Sequence, residues 1–177
     1  DGERSAIVAR CNDRRYGQVL AERLGCALPS SRILGTLEEL DEQLADASTV
    51  LGPLDSWVVK APFSASGRER VKRRGRRLEG ELRVRTERLF ARYGELVFEP
   101  WMERVQDLGV VGHVGPTAEE SLVHPAHELI NDETGVFRAI RIDDDLQERL
   151  SAEMRHRVDQ VSAAVVAALC EEGYRGP

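Results

Sequence analysis

Lysine is almost missing from this chain. Of its 25 lysine and arginine residues, only Lys60 and Lys72 are lysine. A position that keeps a compact ammonium on a flexible stem does different work from a planar guanidinium fork, and this singles out Lys60 ahead of Lys72. Cysteine is scarce and odd in number. Cys11, Cys26 and Cys170 lack the spacing of metal ligands, so a reduced, cytoplasmic protein is expected. His124 and His127 are a pair without a third ligand in register, and no metal site is expected from them. No run reaches the roughly 18 apolar residues of a membrane span, and no signal-like segment is present, so no membrane partner is expected. Aromatic residues are 5% of the chain and the net charge is -6. Nucleic acid is a poor partner for such a chain, because phosphate contacts need a broad positive field. The basic run from Arg68 to Arg77 has only Phe63 beside it to stack on a base.

What is present reads as helices alternating with short strands. Ala6–Ala9 is an apolar run expected to end a strand. Asn12-Asp13 caps a helix with Tyr16, Val19, Leu20 and Leu24 on its apolar face, closed by Gly25. Ser31–Leu34 is a short strand. Thr36 with Glu39 forms a capping-box pattern, and Leu37, Leu40 and Leu44 carry the face of the helix that follows. Ser56–Ala61 is a strand, Arg70–Arg73 its return, Gly80–Tyr93 a helix and Glu95–Glu99 a strand. Asp107–Val114 is a further strand. His124–Leu129 and Thr134–Ile142 are antiparallel neighbours, and Asp143–Cys170 is one long helix. The order implies an α+β fold with mostly antiparallel sheets. A change of character near Pro100–Gln106 separates two lobes.

Chemistry concentrates in two segments. In "WVVKAPFSASGRERVKRRG" a buried strand delivers Lys60 at its end. A loop of small, hydroxyl-bearing residues follows, then a dense run of cations. Loop amides beside an ammonium suit a polyphosphate. The lysine precedes the glycine, so this is not a Walker loop. In "LVFEPWMERVQDLGVVG" a second strand ends at Glu99. The non-periodic Pro100-Trp101-Met102 follows, then Asp107. Backbone groups there can meet a flat ring under apolar cover, and the carboxylate beyond can take sugar hydroxyls.

Taken with the closing "GYRGP" and the preceding "NDRRYGQVLAERLGCALPSSRILGTLEELDEQL", these segments resemble the ATP-grasp superfamily over roughly Gly25–Pro177. The resemblance implies two α+β lobes gripping ATP, and a carboxylate activated as an acylphosphate for attack by an amine or thiol. It assigns Lys60 to the α and β phosphates and Ser64, Ser66 and Gly67 to the loop covering them. Glu99, Trp101 and Met102 fall at the adenine hinge. Asp107 falls at the ribose, one residue further from Glu99 than the family pattern has it. Residues 1–24 correspond to the tail of a preceding lobe, 25–103 to the first grasp lobe and 104–177 to an incomplete second one. The chain is expected to be truncated at both ends, with the Mg²⁺ ligands beyond Pro177 and little activity of its own. The alternative is a non-catalytic nucleotide-binding or scaffold domain with a degenerate metal site.

Overall fold

The computed structural model describes residues 2–63, 69–133, 135–142 and 145–177. The chain divides into two compact units, Asn12–Glu103 and Asp1–Cys11 with Arg104–Pro177. All strand pairs among the described residues are antiparallel, and the fold is α+β.

Helix α1 (Gly2–Cys11) replaces the strand expected at Ala6–Ala9. Four apolar residues are too few to set a period. The helix carries Glu3 in its first turn and Arg10 in its last, each favourable to the helix dipole. Arg10 pairs with Glu172 within the same unit.

The Asn12–Glu103 unit begins with α2 (Arg14–Arg23). Its N-cap, Asp13, accepts from the Arg15 N–H at 2.8 Å. Burial opposes ionisation of Asp13, but hydrogen bonds from the Arg15 side chain and backbone outweigh it and hold the carboxyl below the usual carboxylate range. Val19, expected on the inner face, is exposed, and Gln18 is buried in its place. The Gln18 amide donates to Glu22 and Ser31, at 2.8 and 2.9 Å, so a polar side chain is satisfied inside. Strand β1 (Arg32–Leu34) leads to α3 (Leu37–Ala45), capped by Thr36 Oγ1, which accepts from Glu39 N–H at 3.1 Å. Then come β2 (Ser56–Lys60), β3 (Arg70–Arg74), α4 (Gly80–Tyr93) and β4 (Leu96–Pro100).

These four strands form one sheet in the order β1-β4-β2-β3. Alternation divides its side chains between two faces. Leu34, Trp57, Val59, Val71, Leu96 and Phe98 point to one face, where Leu37, Leu40 and Leu44 of α3 and Leu89 and Phe90 of α4 close over them. This is the core, and truncating Trp57 or Phe98 to Ala would cost roughly 3–5 kcal/mol. The opposite face receives Val58, Lys60, Arg70, Lys72, Val97 and Glu99, as the register requires.

The other unit contains β5 (Asp107–Gly109), β6 (Gly112–His113), β7 (Leu122–Val123), β8 (His127–Asn131) and β9 (Phe137–Arg141). They form a β5-β8-β9 sheet and a β6-β7 ribbon. The expected helix over 143–170 is two helices, α5 (Leu146–Arg149) and α6 (Ala152–Glu171). Ser151 breaks them because its hydroxyl takes the Met154 N–H at 3.1 Å and caps α6. Val114 and Gly176 exchange two backbone hydrogen bonds of 2.8 and 3.1 Å, tying the end of the chain to this unit.

Candidate functional site

The face of the first sheet opposite its core carries Lys60, Arg70, Lys72 and Glu99 beside the buried Val58 and Val97. Lys60 ends β2 there. Its ammonium is paired with Glu99 of β4, two residues along from its register partner: Lys60 lies opposite Val97 and Val58 opposite Glu99. Both side chains are about three-quarters covered, exposed by 25% and 23%. Desolvation makes such a cation costly alone, and the carboxylate offsets that while aiming it.

Arg14 approaches from α2. Its side chain donates to Ala61 O at 2.7 Å and its backbone N–H to Pro62 O at 3.1 Å. The start of α2 is thereby fixed to the two residues that follow Lys60. Burial lowers the proton affinity of the Arg14 guanidinium, Glu99 opposes that shift, and Arg70 adds to it. The three groups share one field. A cavity of about 370 Å³ opens beside them, lined by Arg14, Gln18, Cys26, Ser31, Lys60 and Glu99 among others.

Trp101 follows β4. Its backbone N–H donates to Ser56 O at 2.9 Å, the same carbonyl that takes the Gly52 N–H at 2.9 Å. Gly52 is required there. A Cβ on it would lie 1.8 Å from Trp101 O. Over the Trp101 ring sit Lys72 Nζ, 3.6 Å from the centroid, and Arg70 Cζ at 5.6 Å. Met102 comes next and is 38% exposed.

The structure thus brings Lys60, Glu99 and Trp101 to one sheet face, with Met102 adjoining. Asp107 belongs to the other unit. Its carboxylate accepts from Asn131 Nδ2 at 2.7 Å and Arg104 Nη1 at 2.9 Å. Ser64, Ser66 and Gly67 lie outside the described residues. Arg14 and Arg70 are additional to the residues singled out in the sequence, where Lys72 stood out only as the second lysine. Arg70 and Lys72 carried a signal, since both fall in register with Lys60 once β3 is paired with β2. Arg14 carried none.

No family model matches the sequence, and no curated protein matches it by sequence. Solved structures do match the fold. An N5-carboxyaminoimidazole ribonucleotide synthetase in complex with ADP matches with a TM-score of 0.60 at 20% identity, over 90% of this chain and 38% of that one. D-alanyl-alanine synthetase A from Vibrio cholerae matches with a TM-score of 0.65 at 13% identity, over 92% and 48%. The biotin carboxylase domain of a Hydrogenobacter thermophilus 2-oxoglutarate carboxylase, determined with MgADP, ADP and bicarbonate, gives 0.62 at 17%, over 93% and 34%. The chain carries the ATP-grasp fold. It spans less than half the length of each of these ATP-grasp chains. Among its described residues no helix is long and apolar enough to cross a membrane.

Proposed function

We propose that this chain is the nucleotide-binding part of an ATP-dependent ligase that activates a carboxylate as an acylphosphate. Residues 25–103 would form the first grasp lobe and 104–177 part of the second. The observation that carries the reading is Lys60, aimed by Glu99 from the end of β2 on the cationic face of an ATP-grasp fold.

In this reading Lys60 places its ammonium on the α and β phosphates, a charge-assisted contact worth roughly 1.5–3 kcal/mol. Ser64, Ser66 and Gly67 would cover the phosphates with backbone amides. Backbone groups of Trp101 and Met102, next to Glu99, would meet adenine, and Asp107 the ribose hydroxyls. A carboxylate oxygen of the substrate attacks the γ-phosphorus, the bond to the β-bridging oxygen breaks, and ADP leaves. An amine or thiol then attacks the acylphosphate carbonyl and expels inorganic phosphate. Catalysis in such a site is positioning and charge stabilisation. Mg²⁺ supplies charge neutralisation on the phosphates of ATP-dependent enzymes of this kind. Among the described residues no three His, Cys, Asp or Glu side chains gather to hold a cation, and no step here runs through one.

The test is thermal unfolding with and without millimolar ATP. Ligand at a hundred times its Kd stabilises by about 2.7 kcal/mol, a shift of several degrees. Wild type should show this shift, and Lys60→Ala should weaken ATP about ten- to a hundredfold. An unchanged shift in Lys60→Ala removes Lys60 from the site. No shift in wild type overturns the reading.

A further inference from the structure

Both lysines of the chain lie on one face of one sheet, and they have different partners. Lys60 meets a carboxylate. Lys72 meets a ring, with its Nζ 3.6 Å from the Trp101 centroid. The backbone of Trp101 is bonded to Ser56 of β2, while Lys72 belongs to β3, on the far side of β2 from β4. The indole therefore crosses β2 on the side away from the core. Val58 agrees with this placement. It pairs with Glu99 on one flank and Lys72 on the other, it stands outside the core cluster, and it is still fully buried.

An ammonium over an indole face is held by the ring quadrupole, and tryptophan is the strongest aromatic partner for it. With its ring pinned to β3 and its N–H to β2, Trp101 has little freedom left. Gly52 packs against its carbonyl and closes the third side. The peptide leading into Met102 is thus fixed from three directions.

We propose that Lys72 is a positioning residue for the nucleotide base. It holds the Trp101 ring, and through it the backbone groups that would meet adenine, without touching the nucleotide. This role rests on the ATP-binding reading above. It separates the two lysines by function: Lys60 acts on phosphate, Lys72 on the shape of the base site.

The experiment compares Lys72→Met, Lys72→Gln and Lys72→Arg in the intact chain by two readouts. The first is acrylamide quenching of indole fluorescence. The chain has two tryptophans, and Trp57 is fully buried, so acrylamide reports on Trp101. Both neutral variants should expose Trp101 to quenching, and Lys72→Arg, whose guanidinium also stacks, should stay near wild type. The second readout is binding of ATP and of adenosine, measured separately. Loss of the stack should weaken both by the same factor, about two- to fivefold. Unchanged quenching in the neutral variants overturns the proposal. So does weaker ATP binding with adenosine unaffected, which would mark Lys72 as a direct phosphate contact. A wild-type chain that binds neither ligand overturns the ATP reading and this role together. A wild type that binds both, matched by the neutral variants, overturns this role alone.

Discussion

Gly52 shows how little slack surrounds the candidate site. A methyl group there would sit 1.8 Å from Trp101 O, so the two backbones would have to part. Gly52→Ala should lower stability by about 1–3 kcal/mol, read as a fall in the urea midpoint. An unchanged midpoint would mean that the contact opens freely. Asp13 gives a pH dependence. Its carboxyl is held below its unperturbed value of 3.8, so it contributes stability above that value, lost as pH falls through the lower folded value. Asp13→Asn should therefore be less stable than wild type at pH 6, and the difference should close on acidification. A gap that stays constant down to pH 2 would contradict this. At this scale the sequence showed Lys60, because a lysine at a strand end is rare in an arginine-rich chain. It did not show that Glu99 is the lysine's partner or that Lys72 lies on Trp101. Those pairs are 39 and 29 residues apart in the sequence, and only the register of β2 with β4 and β3 joins them.

Elements were legible where local chemistry agrees with the packing. α3 is the clearest case, with Thr36 and Glu39 at its start and three leucines on one face. Glu39 closes the motif on Gly35 N–H at 2.7 Å, one residue before the cap. Thr36→Ala should cost about 1 kcal/mol, measurable by chemical denaturation, and a neutral result would show that core burial alone sets this helix. Elements were misread where a local signal was short or had a rival. Ala6–Ala9 is too brief to distinguish strand from helix. The break between α5 and α6 depends on Ser151 taking a backbone N–H, a choice that competes with continued helix. In α2, Val19 points outward because Gln18 finds two partners inside, which apolar periodicity does not register.

Across the whole molecule, burial is uneven. Among the described residues, the core of the Asn12–Glu103 unit gathers thirteen buried residues in one cluster, Trp57, Val59, Leu96 and Phe98 among them. In the other unit, Phe137, Ile140 and Ile142 are 52%, 48% and 87% exposed. Amide exchange should therefore be slowest in β2 and β4 and clearly faster in β8 and β9. Equal protection in the two sheets would refute this. The division into α+β elements was legible at this scale because helix and strand signals alternate along the chain. The charged face of the first sheet was not, since the cationic run was readable but the register that sets Lys60, Arg70 and Lys72 beside Glu99 was not. The scarcity of lysine has a practical consequence here. Apart from the α-amino group, an amine-selective reagent has two targets, and both stand on that one face. Acylation at neutral pH thus becomes a footprint of a single surface. Each product differs by which neighbour, the Glu99 carboxylate or the Trp101 indole, the reagent had to displace.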